Sequence, residues 1–270
     1  MVNENDIVVQ TNDLTKKYGT TYALDKVNIT VKRGEIYGFV GRNGAGKTTL
    51  IRVLTGIANP TSGSFVLLGA KTKAEQIERR KHIAAMVETP ALYMNMTAHD
   101  NLRTTLILKG IKDEELIRAR LHEVGLEDVI NSKKKAKDFS LGMKQRLGIA
   151  MALLGDPDLL ILDEPTNGLD PEGIREMREL LVGINKKRNI TMIISSHILG
   201  ELSKLATTFG FIDKGKIINE ITSEELFAKV SKEVIIKTDD NIKALGLLNE
   251  VYPKSVSKDD NGSLRISGVA

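Results

Sequence analysis

Apolar and polar residues alternate along residues 7–31, with turn punctuation at Tyr18-Gly19, and this period of two predicts antiparallel strands. Residues 36–40 form an uninterrupted apolar run that reads as a buried strand, and residues 49–54 continue as a helix. Residues 63–69 predict a further strand. Between 97 and 130 the period turns helical, with Leu102, Leu106, Leu116, Ile117 and Leu121 among the apolar positions. The short run 159–162 is a strand. A helix then opens at Asp170-Pro171, where Asp caps and Pro suits the first helical position, and carries Ile174, Met177, Leu180, Leu181 and Ile184 on one face. Residues 191–195 supply the next buried strand. Strands separated by helices imply a largely parallel sheet covered on both sides. From about Thr222 the pattern changes: 234–237, 242–248 and 264–266 predict a small strand–helix–strand appendage. Little chain is left after it, so this unit reads as truncated or as finished by a partner.

Composition narrows the options. Of 270 residues 41% are apolar, enough for a sizeable core, and with no Cys there is no disulfide framework, thiolate metal site or thiol nucleophile. The formal charge of +4 is spread among acids, and the one dense cluster, Lys133-Lys134-Lys135-Ala136-Lys137, reads as a solvated connector, so no nucleic-acid partner is expected. The N-terminus lacks an apolar export segment, and no run approaches the roughly 20 residues needed to span a bilayer. The chain therefore reads as soluble, with any membrane role exercised through a partner.

The candidate chemistry is concentrated in Gly41-Arg42-Asn43-Gly44-Ala45-Gly46-Lys47-Thr48, a complete G-x-x-x-x-G-K-[ST] phosphate-binding loop. Its glycines let backbone N–H groups converge into a nest for phosphate oxygens. Lys47 adds charge for the β- and γ-phosphates, and the Thr48 hydroxyl suits Mg²⁺. The strand before and the helix after, continuing through Thr49, direct a helix N-terminus at the anion. A glycine-rich surface turn would not need that frame. Downstream, Asp163-Glu164 ends an apolar strand, where side chains emerge at the carboxyl edge of a parallel sheet. One carboxylate of such a pair holds Mg²⁺ and its neighbour polarises the attacking water; Asp163 is assigned to the metal and Glu164 to the water.

Residues 139–146, Phe139-Ser140-Leu141-Gly142-Met143-Lys144-Gln145-Arg146, open a helix that Ser140 is suited to cap. Alone this would be an ordinary capped helix. With the phosphate loop and acid pair, Ser140 and Gly142 resemble the L-S-G-G-Q signature of ATP-binding cassette (ABC) ATPases, followed by matching Gln145-Arg146. The resemblance covers residues 7 to about 220 and extends to further motifs in order. Tyr18 resembles the aromatic that stacks on adenine, Asp163 and Glu164 the Walker B aspartate and catalytic glutamate, Gly168-Leu169-Asp170 the D-loop, and His197 the switch histidine. It implies a P-loop NTPase (RecA-like) α/β core with an N-terminal antiparallel β-subdomain and an α-helical signature subdomain at about 89–153, all within 1–221, and a small α+β appendage at 222–270. It further implies that ATP and Mg²⁺ are sandwiched in a head-to-tail dimer. One subunit offers Lys47, Thr48, Asp163 and Glu164; the other offers Ser140 and Gly142. Closure would be transmitted near Glu88 to integral-membrane permease subunits, holding the chain at the cytoplasmic face of the membrane.

Two motifs depart from the family pattern. The signature has Leu141 and Met143 where the consensus has Gly and Gln. The Q-loop glutamine is Glu88, in Met86-Val87-Glu88-Thr89-Pro90, and Gln76 lies too early to replace it. A carboxylate still ligates Mg²⁺ or orients water, but it adds negative charge near the γ-phosphate. This variant resembles the ATPase subunits of lantibiotic-immunity exporters, with bacitracin-resistance-like drug exporters as the alternative subgroup. A soluble ABC ATPase acting on DNA or ribosomes is the competing reading. Against it, the interval from Lys47 to Ser140 has no room for a long inserted coiled coil, and there is one cassette rather than two. A GTP switch is weaker still, because Asn185-Lys186-Lys187-Arg188 lacks the Asp of a guanine-reading N-K-x-D element.

Overall fold

Short, continuous apolar runs form strands covered on both faces at the centre of this computed structural model, which describes residues 6–229, 233–252, 256–258 and 263–267. The strands are β1 (Ile7–Tyr18), β2 (Thr21–Val27), β3 (Thr30–Lys32), β4 (Ile36–Val40), β5 (Ser62–Leu67), β6 (Ile83–Met86), β7 (Leu159–Asp163), β8 (Thr191–Ser196), β9 (Thr208–Asp213), β10 (Lys216–Thr222), β11 (Glu233–Ile236), β12 (Val256–Lys258) and β13 (Leu264–Ser267). The helices are α1 (Lys47–Leu54), α2 (Lys73–Arg79), α3 (Ala98–Lys109), α4 (Glu115–Glu123), α5 (Leu141–Leu153), α6 (Pro171–Arg188), α7 (Leu199–Leu202), α8 (Ser223–Lys229) and α9 (Asn241–Val251). The chain divides into two compact units, Met1–Ile221 and Thr222–Ala270.

In the first unit, six strands are ordered β10-β9-β4-β8-β7-β6, with β4 parallel to β8 and β9, and β7 parallel to β6 and β8. Every residue of β4, β7 and β8 is buried. The alternating N-terminal segment forms the expected antiparallel sheet, in which β1 pairs with β2, β3 and β5. One apolar cluster joins both sheets: Val9 and Leu67 from the antiparallel sheet meet Leu50, Ile51 and Leu54 of α1 and Phe39, Ile161 and Ile193 of the parallel one. The phosphate loop is thus anchored on both sides.

Helix boundaries follow local chemistry. Thr97 and Asp100 cap each other reciprocally at the start of α3, and the Thr97 hydroxyl holds the Asp100 carboxyl below its usual range. Asp170 accepts the Gly173 N–H at 2.9 Å, Pro171 opens α6, and Met177, Leu181 and Ile184 are its buried face. Ile174 and Leu180 of the expected face are only partly buried. The second unit has one strand more than the pattern suggested. Its sheet is antiparallel, ordered β11-β13-β12, and the extra β12 is three residues long, too short to show a period. Among the described residues no helix is long and apolar enough to cross a membrane.

Candidate functional site

The loop between β4 and α1 closes around its own lysine. Lys47 is 5% exposed, and its ammonium donates to the carbonyls of Gly41 at 2.6 Å and Arg42 at 3.3 Å. Its remaining contact is the Glu164 carboxylate, 3.1 Å from Nζ. All three donors of the ammonium are therefore engaged within the chain. Two glycines are obligatory here for different reasons. Gly44 has φ +79° with open space where a β-carbon would stand; Gly46 has φ +118°, and a β-carbon there would lie 2.5 Å from the Ala23 carbonyl of β2. Ala45 is buried beneath them. Gly46→Ala is therefore expected to weaken nucleotide binding by about 5- to 100-fold, because backbone strain costs roughly 1–3 kcal/mol and each 1.4 kcal/mol is tenfold. Equilibrium titration with a fluorescent ATP analogue measures this, and unchanged affinity would show that the loop can reshape.

The parallel sheet brings the acid pair to this loop because β7 is separated from β4 only by β8. Thr48 donates to Asp163 Oδ2 at 2.8 Å, and Ser195, at the end of β8, donates to the other Asp163 oxygen. Glu164 adopts φ +52°, a left-handed conformation uncommon outside glycine. Its N–H donates to Ser195 Oγ at 3.0 Å, and the resulting turn aims the carboxylate at two cations or potential cations, Lys47 and His197. Glu164 Oε2 lies 2.6 Å from His197 Nδ1.

A cavity of about 440 Å³ lies over these groups. Asn43, Gly44, Gly46, Lys47, Thr48, Thr49, Glu88, Asp163 and Glu164 line it, together with Ala23, Thr89, Leu141, Gln145 and Asn167, which the motifs had not assigned to it. Gln145 was legible as a motif position but not as part of this wall; its Oε1 is buried with no hydrogen-bond partner among the described residues. Glu88 has φ +64°, and its carboxylate takes the Arg52 guanidinium of α1 at 2.7 Å. Ser195, which stands in the switch motif Ser195-Ser196-His197, is a further contributor to which no role was assigned, since its effect depends on the pairing of β7 with β8.

Three expected residues stand elsewhere. Tyr18, at the end of β1, is half exposed and carries the Lys16 ammonium 4.9 Å from its ring centroid rather than lining the cavity. Ser140 caps α5 by accepting the Met143 N–H at 3.2 Å. Ser140 and Gly142 line a second cavity of about 660 Å³ with Gly168, Leu169 and Asp170. A β-carbon on Gly142 would meet nothing nearer than Leu169 Cδ2 at 3.7 Å, so nothing inside this chain demands a glycine there.

A glycine cradle, a buried ammonium and a hydroxyl–carboxylate pair at one opening suit a nucleoside triphosphate. Thr48 and Asp163 suit Mg²⁺, which typically takes one or two carboxylates and completes its shell with phosphate oxygens and water. Among the described residues no cluster of three His, Cys, Asp or Glu offers a self-contained metal cage.

Residues 24–167 match the sequence profile described as ABC transporter. The chain is 47% identical over 245 residues to the bacitracin transport ATP-binding protein BcrA of Bacillus licheniformis, covering 91% of this chain and 79% of that protein. It is 44% identical over 213 residues to the lantibiotic transport ATP-binding protein SrtF of Streptococcus pyogenes, covering 79% and 90% respectively. Among solved structures, CbiO1 from Clostridium perfringens, part of the ABC transporter complex CbiONQ, superposes with a TM-score of 0.75 at 28% identity, covering 92% of this chain and 97% of that one. With the phosphate loop, acid pair and fold all in agreement, the chain belongs to the ABC transporter family as an ATP-hydrolysing cassette.

Proposed function

We propose that this cassette drives transport of a peptide antibiotic, bacitracin or a lantibiotic, outward through separate membrane permease subunits, in self-immunity or resistance. The observation that carries the substrate class is the likeness to BcrA across 91% of the chain, with SrtF in support. The alternative of a soluble ATPase working on DNA or ribosomes is not favoured, since these relatives carry transport names.

In the working reaction, phosphate oxygens of ATP replace intramolecular acceptors of Lys47. Glu164, released from that ion pair, remains against His197 and orients the attacking water. Thr48 and Asp163 would hold Mg²⁺, which supplies charge neutralisation at the phosphates. Ser140 and Gly142 serve the ATP of a second cassette; the absence of any clash for a β-carbon at Gly142, whose nearest neighbour would be Leu169 Cδ2 at 3.7 Å, supports a demand for a small residue that comes from outside the chain. Tyr18 offers the exposed ring face for adenine, and Thr49 and Asn43 complete the phosphate wall.

The Arg52 guanidinium, 2.7 Å from the Glu88 carboxylate, offsets the negative charge that Glu88 would bring beside a γ-phosphate. Glu88→Gln is expected to leave ATP affinity within about threefold and to shift transport-coupled ATPase activity by about fivefold, close to the 1 kcal/mol upper range of an exposed ion pair. Paired ATPase and transport assays measure the change, and identical transport would show that the substitution is neutral.

The function is tested by deleting the gene and measuring growth inhibition by bacitracin and by a lantibiotic, beside gentle detergent co-purification of the tagged chain. Sensitisation to one of them with recovery of integral membrane proteins is expected. Unchanged sensitivity to both, or recovery of ribosomes in their place, would overturn the proposal.

A further inference from the structure

Glu201 lies in α7, on the turn that follows the His197 loop, and no motif draws attention to it. Its Oε2 accepts two hydroxyl protons, from Thr166 at 2.6 Å and Ser196 at 3.2 Å. Both donors are buried, Ser196 at 1% and Thr166 at 9% exposure. Thr166 is two residues beyond Glu164, and Ser196 immediately precedes His197. Ser196 Oγ also accepts the Ile198 N–H at 3.0 Å, which leaves its own proton for Glu201. Among the described residues no cation lies within ion-pair distance of Glu201, so its charge acts only through these hydroxyls.

The ends of β7 and β8 are consequently tied twice. Ser195 ties them on the strand side, through Asp163 and the Glu164 N–H. Glu201 ties them on the far side, between the segment after Glu164 and the residue before His197. Glu164 and His197, 2.6 Å apart, each stand within two residues of both ties. We propose that Glu201 is a positioning residue for hydrolysis: its carboxylate fixes Glu164 and His197 relative to one another while touching neither. This deepens, and rests on, the proposed roles of Glu164 and His197. Hydrogen bonds to an ionised acceptor are roughly twice as strong as neutral ones, which suits a carboxylate to holding two loops in register.

The test is steady-state hydrolysis of Mg²⁺–ATP by the full chain carrying Glu201→Ala, Glu201→Gln, Thr166→Val, or the Thr166→Val/Glu201→Ala pair, with Glu164→Gln as reference and thermal midpoints for each. Glu201→Ala should lower kcat at least about tenfold, since a displacement of about 1 Å at a reacting group costs up to about 100-fold. Its KM should stay within about threefold, as expected when only transition-state contacts are lost. Glu201→Gln, which keeps an oxygen acceptor, should recover most of that loss. The double variant should be little worse than either single one, because all break the same link. Should Glu201→Ala fail to fold, the nearly isosteric Thr166→Val carries the test with a loss of several-fold in kcat. A kcat for Glu201→Ala within about twofold of the parent, a loss confined to KM, or a Gln variant no better than Ala would each overturn the inference. An inactive Glu164→Gln beside an unimpaired Glu201→Ala overturns this inference alone; an active Glu164→Gln overturns the reading on which it rests.

Discussion

Glu164→Gln is expected to lower kcat for ATP by about 100- to 1,000-fold while leaving ATP binding intact, within the range that general-base groups supply. The amide keeps the size of the carboxylate and an oxygen near Lys47 and His197, which now stand 3.1 Å and 2.6 Å from the two carboxylate oxygens. It cannot take or attract a proton from water. The glycine cradle, Lys47 and Thr48, the groups proposed to hold the nucleotide, are not altered. The variant should therefore accumulate as an ATP-bound dimer, seen as an ATP-dependent shift on size-exclusion chromatography. Undiminished steady-state hydrolysis would remove Glu164 from the reaction.

The second large effect concerns stability and lies away from the nucleotide. Glu123, at the end of α4, receives Arg188 of α6 through both oxygens, at 2.6 Å and 2.7 Å, and Arg120 at 3.1 Å. Arg120 also reaches Asp156 at 2.8 Å and the Leu153 carbonyl at the end of α5 at 3.2 Å. The network thus fastens α4 to α5 and α6. Glu123 and Arg120 are each 7% exposed, so Glu123→Ala leaves a buried guanidinium sharing the half-solvated Asp156 with Arg188. Loss of one partner from such a cluster costs about 3–5 kcal/mol, readable by urea denaturation. Burial pushes the Glu123 carboxyl above its usual range, with Arg120 and Lys187 pulling the other way. A folded pKa above the unfolded one means that protonation is favoured in the fold, so stability falls as pH rises through the interval between the two values. Glu123→Gln keeps one of the two oxygen acceptors for the guanidinium groups and should cost less than Glu123→Ala. Equal costs for the two would show that the charge itself holds the helices.

These two residues also separate what could be read along the chain from what could not. Glu164 was legible because it directly follows a run of buried residues whose direction fixes where its side chain emerges. The phosphate loop was legible for a similar reason: a nest of N–H groups is built from consecutive residues, and the glycines that permit it stand side by side. Arg120, Glu123, Asp156 and Arg188 have no such adjacency. Each looks like an ordinary solvated charge on its own helix or turn, and periodicity even places Arg120 beside buried Ile117 and Leu121 without naming its partners. The same holds for the Arg52–Glu88 pair and for Glu201. β12 escaped because three residues carry no period.

The sequence by itself determined the α/β class, the buried strands β4, β7 and β8 and the phosphate-loop motif, since these depend on local periodicity, caps and backbone freedom. The tertiary structure decided which distant groups share an opening. Thr48 meets Asp163 across 115 positions only because β8 lies between β4 and β7, and Ser195 engages both Asp163 and Glu164 because β7 and β8 pair in parallel register. Strand order follows from how buried faces pack across the whole sheet, and no local pattern carries that information.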